Sequence, residues 1–244
     1  MHTNEQVLIN YLAHSAFICE TSQRILIFDI GRVPPRAPAL EPDWANLING
    51  AKPVFAFSSH NHPDHYEPNL HKLFDESENV RYITGDFART EKRTVRVNPG
   101  DDCQVDDCRI FAVQATDKGI AALLEFPEIA IYYGGDHAIW DDLPEFQKPF
   151  RTSMTKLAQA GICPDLAFIP VGTSDGWQED ALIDGCRLTI EKLAPAGVVP
   201  MHAFSYESFY AEFAEKVADL KVPVAPLRKN GDRFSFENGV FKQG

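Results

Sequence analysis

Seven residues, Pro53-Val54-Phe55-Ala56-Phe57-Ser58-Ser59, form a nearly continuous apolar run that ends directly at His60-Asn61-His62-Pro63-Asp64-His65. A run without polar alternation reads as a strand buried on both faces. Three of the eight His in the chain fall within the six residues that follow, with a carboxylate among them. His60 and His62 are two apart at a strand end, so their rings point to one side. Asp64 and His65 come after the turn at Pro63 and can curl round a second point. Imidazole and carboxylate together suit Zn²⁺, Mn²⁺ or Fe. A His-rich turn without metal is the plain alternative, but it gives no reason for a cluster of titrating groups behind a buried strand.

The rest of the chain supplies a setting for that strand. Val7-Leu8-Ile9-Asn10-Tyr11-Leu12, Ala16-Phe17-Ile18-Cys19-Glu20 and Arg24-Ile25-Leu26-Ile27-Phe28-Asp29 read as strands, with a turn at Thr21-Ser22-Gln23. Val33-Pro34-Pro35-Arg36-Ala37-Pro38 is too proline-rich for regular structure and reads as a surface loop. A short helix is expected over 43–50 with Asp43 as its cap, and another over 68–76. Arg81-Tyr82-Ile83-Thr84 is a strand, and 94–115 reads as strand, turn, strand, strand around Asn98-Pro99-Gly100-Asp101. Segments 120–126 and 129–133 pair as a hairpin. Helices are expected over 153–160, 181–193 and 206–220. Leu166-Ala167-Phe168-Ile169-Pro170-Val171 and Gly197-Val198-Val199-Pro200-Met201 are buried strands, and the tail holds one or two more. β-rich stretches precede α/β stretches in both halves. This predicts an α+β fold of two mixed sheets packed face to face with helices outside.

Composition narrows the function classes. A chain of 244 residues with 44% hydrophobic and 24% charged residues can bury a real core and reads as a single domain over 1–244. The net charge of −12 repels phosphate backbones and anionic lipid, which disfavours nucleic acid and membrane partners. No signal peptide is visible at the N-terminus, and no apolar run reaches the roughly 18 residues of a membrane helix. The five Cys are an odd, scattered set, which fits a reducing cytoplasm. Cys103 and Cys108 lie close across an expected hairpin, and two ordinary thiols is the plain reading. Homo-oligomerisation is left open.

The motif His60-x-His62-x-Asp64-His65 resembles that of the metallo-β-lactamase fold superfamily, whose four-layer αββα sandwich matches the element order above. The resemblance implies that His60 and His62 bind one metal and that Asp64 and His65 bind a second. Ile131-Tyr132-Tyr133-Gly134-Gly135-Asp136 resembles the family's strand ending in Gly-Asp, which implies that Asp136 bridges the two metals. Val198-Val199-Pro200-Met201-His202 resembles its final-His strand, which implies that His202 completes the second site. Alone, Asp136 would read as a turn residue and His202 as a surface His. Tyr11-Leu12-Ala13-His14-Ser15-Ala16-Phe17 resembles the lactonase-like branch related to ascorbate-6-phosphate lactonase. In that branch His14 sits near the metals, and a structural His is the alternative. The pattern departs at one position: no His lies between His71 and His137 to give the first metal its third imidazole. Asp117 is the candidate substitute, which would tilt the site towards Mn²⁺ or Fe. Without it the first site is weak or unfilled. His137 is a further candidate for metal or substrate.

The implied cofactors are two divalent ions, Zn²⁺ first with Mn²⁺ or Fe as alternatives. The implied function is hydrolysis of a small ester, lactone or phosphodiester by a metal-bound hydroxide, with Asp64, His14 and His137 in catalytic roles. Trp140, Trp177, Phe204 and Tyr206 are candidates to line a small-molecule pocket, although core packing is the commoner role. A di-iron redox protein and a non-catalytic metal-binding protein with a degenerate first site are the rival classes.

Overall fold

The computed structural model describes residues 5–32, 42–85, 93–172, 179–202 and 206–244. The expected proline-rich loop at 33–38 lies outside the described residues. The chain begins with β1 (Val7–Ala13), β2 (Ala16–Glu20) and β3 (Ile25–Phe28), followed by α1 (Trp44–Ile48), β4 (Val54–Ser58), α2 (Pro68–Glu76), β5 (Val80–Thr84) and β6 (Thr94–Arg96). Next come β7 (Asp102–Val105), β8 (Cys108–Gln114), β9 (Ile120–Glu125) and β10 (Ala130–Tyr133). Then follow α3 (Pro144–Gln159), β11 (Leu166–Pro170), α4 (Glu179–Leu193), β12 (Gly197–Met201), α5 (Phe209–Lys216), a 3-10 turn, β13 (Arg233–Glu237) and β14 (Val240–Gln243).

These strands form two mixed sheets. One runs β14-β13-β1-β2-β3-β4-β5-β6 and the other β12-β11-β10-β9-β8-β7. β3, β4, β5 and β6 are parallel neighbours, as are β10, β11 and β12. All five residues of β4 are buried, as its unbroken apolar run requires. The inner faces meet in an aromatic layer. Phe28 stacks on Tyr133 with centroids 4.7 Å apart, and Phe17 meets Phe168 at 5.0 Å. Burying each such ring contributes about 1.5–3 kcal/mol. On the outer face of the first sheet, Ile27, Ala56 and Tyr82 pack with Ile48 of α1 and Phe74 of α2. On the second, α3 lies on β8 and α4 on β11. This is the four-layer αββα arrangement.

Local chemistry explains most boundaries. Asp43 caps α1 by accepting from the Asn46 N–H at 3.1 Å. The third helix begins at Pro144, nine residues before the expected start at 153. Two prolines lie in this extension, and both are tolerated. Pro144 sits in the first turn, where no N–H is needed. Pro149 is on the exposed face, where water can satisfy the carbonyl it leaves unbonded. The expected helix over 206–220 is shorter, because Ala218–Leu220 tightens into the 3-10 turn and Lys221 turns left-handed. In the β7–β8 hairpin Cys103 faces Ile110 and Cys108 faces Val105, and both thiols are free. No helix among the described residues is long and apolar enough to cross a membrane.

Candidate metal centre

The parallel runs of both sheets point their carboxyl ends to one edge, the position where open α/β sheets place their ligands. There β1 delivers His14, β3 delivers Asp29, β4 delivers His60, β8 leads to Asp117, β10 leads to Asp136 and β12 leads to His202. Close approach of the loops depends on two glycines. A Cβ on Gly31 would lie 2.0 Å from the Asp64 carbonyl carbon. One on Gly119, whose φ is +74°, would lie 2.2 Å from Ser59 O and 2.5 Å from His60 Cβ.

A buried carboxylate organises the histidines from behind. Asp29 is fully buried and left-handed, with φ 41°. It accepts from Ser59 N at 2.7 Å, Ser59 Oγ at 2.6 Å and His65 Nδ1 at 2.7 Å. The Tyr133 hydroxyl lies 2.9 Å from Asp29 Oδ2 and 2.8 Å from Ser15 O, and donates to one of them. A carboxylate only accepts, so His65 carries a proton on Nδ1 and turns Nε2 into the cluster. Ser59 Oγ spends its proton on Asp29, so it accepts from His60 Nδ1 at 2.9 Å. His60 Nε2 is thereby left as a lone pair facing Asp136. The sequence reading missed Asp29; an acidic residue closing an apolar strand two positions before Gly31 was its only trace.

Asp136 divides its two oxygens between two groups. Oδ2 lies 3.1 Å from His60 Nε2 and 3.9 Å from His62 Nδ1. Oδ1 lies 3.1 Å from His65 Nε2 and 3.3 Å from His202 Nε2. Asp117 Oδ2 stands 3.7 Å from His62 Nδ1, so the first group comprises His60, His62 and Asp136, with Asp117 at its exposed side. The second comprises His14, Asp64, His65 and His202, whose donor atoms all lie within 4.8 Å of one another, together with Asp136 Oδ1. Asp64 Oδ2 is 3.1 Å from His14 Nε2 and 3.6 Å from His65 Nε2.

The remaining expected residues fall around these groups. His137 is in neither; its buried ring stacks on Phe150 at 4.6 Å. Trp140 donates to the Asp136 carbonyl at 3.2 Å, and its ring is 5.3 Å from His202. Tyr206 is half exposed. Trp177 and Phe204 lie outside the described residues.

The electrostatics suit a bound cation. His60 Nε2, His65 Nε2 and Asp136 Oδ1 are buried with no hydrogen-bond partner among the described residues, each at a cost of about 1–3 kcal/mol. Burial opposes ionisation of Asp136, yet His65 and His202 outweigh it and hold its pKa well below the carboxylate range. Burial likewise opposes the charged form of His65, but Asp136 and Asp29 raise its pKa well above the usual value. His202 is pushed down to about 3 by burial, with the His14 charge adding to the effect. Burial alone pushes His137 down to about 3. Converging lone pairs from imidazole and carboxylate fit divalent metal ions.

No protein-family profile matches the chain. A UPF0173 metal-dependent hydrolase from Korarchaeum cryptofilum (strain OPF8) is 24% identical over 212 residues, covering 83% of this chain and 84% of that relative. Igni18, a metallo hydrolase from the archaeon Ignicoccus hospitalis, superposes with a TM-score of 0.68 at 22% identity, over 95% of this chain and 99% of its own. YhfI from Bacillus subtilis, a metallo-β-lactamase fold protein, superposes with a TM-score of 0.60 at 11% identity, over 95% and 100%. The chain has the metallo-β-lactamase fold. Within the metallo-β-lactamase fold seen here, both donor groups sit on the edge where the two sheets end together, and Asp136 joins them.

Proposed function

We propose that this chain is a metal-dependent hydrolase of the lactonase-like branch of the metallo-β-lactamase superfamily, acting on a small ester, lactone or phosphodiester. The observation that carries this reading is the Asp136 carboxylate, whose two oxygens face two separate sets of histidines. The UPF0173 relative, a metal-dependent hydrolase, supports it. His60, His62, Asp117 and Asp136 would hold one ion, and Asp64, His65, Asp136 and His202 the other. Zn²⁺ is the first candidate, with Mn²⁺ or Fe favoured if Asp117 ligates. Two divalent cations in such a site supply Lewis acidity, lowering the pKa of water and polarising the oxygen of the bond under attack.

The protein's own groups do the rest. Burial opposes ionisation of Asp64, but the His14 contact and the His65 charge hold its pKa well below the usual range. It is therefore ionised at neutral pH and able to orient the attacking water. His137, adjacent to Asp136 and kept neutral by burial, is assigned the donor role towards a developing oxyanion, which requires its ring to leave the stack on Phe150. The acidic chain, at −12, suits a small-molecule substrate better than nucleic acid.

The test is elemental analysis of protein purified without added metal and then reconstituted, beside Asp136→Ala, with both assayed on nitrophenyl esters, lactones and phosphodiesters. Wild type should hold about two ions per chain and turn over one substrate class; Asp136→Ala should lose both properties. Less than about one ion per chain after reconstitution would sink the reading. A di-iron redox centre is the second reading, favoured by the carboxylate of Asp117 standing where a third imidazole would soften the first group. Iron with visible absorbance in the purified protein would select it over the colourless zinc hydrolase.

A further inference from the structure

The geometry points to His14 as a fifth protein ligand of the second cation, so that this position is closed by protein and substrate meets the first. This rests on the reading above only in requiring that the second group hold a metal.

Donor spacing carries the inference. Two donors about 2.1 Å from one ion stand about 3.0 Å apart at a right angle, about 3.4 Å at the tetrahedral angle and about 3.6 Å at 120°. In the second group the spacings are 3.1 Å for His14 Nε2 to Asp64 Oδ2 and 3.6 Å for His65 Nε2 to Asp64 Oδ2. They are 3.1 Å for His65 Nε2 to Asp136 Oδ1 and 3.3 Å for His202 Nε2 to Asp136 Oδ1. Two edges near a right angle beside one near 120° suit a five-donor set better than a tetrahedron. His14 Nε2 also falls with Asp64, His65 and His202 inside one sphere of mutual reach.

The backbone is arranged to hold that ring. His14 and His202 both adopt left-handed φ, 55° and 70°, in a region that side chains such as theirs enter at a cost and keep where direction matters. The two residues are tied together, with His202 N–H donating to His14 O at 3.0 Å. The His14 N–H donates to the buried Tyr11 hydroxyl at 2.8 Å, and Tyr11 is steadied by Glu207 and Tyr210. The two rings stand 4.2 Å apart between centroids, near enough for both to face one point. The first group is the more open: its His62 and Asp117 side chains are 37% and 50% exposed although His60 is at 0%, whereas in the second Asp64 is at 18%, His202 at 10% and His14 and His65 at 0%.

The experiment is a Co²⁺ titration of the apo full chain, wild type beside His14→Asn and His14→Gly, following affinity and the visible d–d band. Asn tolerates left-handed φ, so that variant removes the imidazole while keeping the turn. Wild type should show one tight and one weak ion, with a weak band from the tight ion. In both variants the tight ion should bind about 100-fold less strongly or worse, beyond the usual 10–100-fold effect of a group behind a ligand. Its band should intensify as a donor is lost, and free imidazole added to His14→Gly should restore both readings. An intense tetrahedral band for the tight ion in wild type, or unchanged affinity and band in His14→Asn, overturns the proposal. That result requires no variant to fold, because the wild-type band alone can give it. Failure of wild type to bind Co²⁺ at all would instead remove the metal reading beneath it.

Discussion

At the scale of single residues, the site depends on where protons sit. Asp29 fixes the Nδ1 proton of His65 and, through Ser59, that of His60. Asp29→Asn would replace one accepting oxygen with an amide donor and release both rings from their orientation. Metal affinity should fall about 10–100-fold, read by calorimetric titration; unchanged affinity would show that the rings are held by packing alone. His65 gives a second expectation. Its raised pKa without metal places a proton where a cation must bind. Metal uptake should therefore release protons, seen as a binding enthalpy that varies with the ionisation heat of the buffer, and affinity should climb with pH. The stabilising effect of this proton is complete below the unfolded histidine value near 6.5. It is lost as pH rises through the raised folded value. The contribution of His65 to apo stability thus declines over the range in which metal affinity grows.

Elements bring these residues together, and here the sequence was only partly legible. The His60 to His65 cluster could be read directly, because its members all lie on one strand end and the turn that follows. Asp136 and His202 came through resemblance to strand endings, since a Gly-Asp or Met-His pair has no local signature of its own. Asp29 was hidden because its role exists only once β4 lies beside β3, and no spacing along the chain expresses that. The start of α3 was misplaced for a similar reason: whether Pro149 breaks a helix depends on which face is wet. Gly119 shows how strictly the elements must meet. Its φ is +74°, and a methyl there would run into the Ser59 carbonyl. Gly119→Ala should cost about 2 kcal/mol or more and displace His60, lowering both Tm and metal uptake. A variant that lost stability but kept its metal content would show the loop is not seated through this contact.

At the scale of the whole molecule, the two sheets are joined at opposite ends by different chemistry. Away from the site, the buried Arg24 bonds Glu128 through Nε at 2.5 Å and Asp107 through both terminal nitrogens at 2.8 Å. It lies over the Phe126 ring with 4.5 Å to the centroid. Arg24→Leu would strand Glu128 in a buried position, and breaking such a pair costs about 3–5 kcal/mol. Partial exposure of Asp107 lowers the expectation towards the bottom of that range. Tm should drop markedly while metal stoichiometry stays at the wild-type value, because the substitution is at the far ends of the strands. A chelator should do the reverse, emptying the site and lowering Tm without disturbing the Arg24 end. If Arg24→Leu also lost its metal, the two ends would not be independent.

The division of Asp136 between two groups has a consequence for how the protein comes into being. His14, His60, His62, Asp64 and His65 belong to the first sheet's strand ends, whereas Asp117, Asp136 and His202 belong to the second's. Neither sheet carries a complete coordination set by itself. Before its halves close on each other the chain therefore offers only part of each set. Once the halves meet, an ion at 1,000 times its dissociation constant adds about 4 kcal/mol to the closed state. Bound metal would then favour the closed sandwich over partly open states.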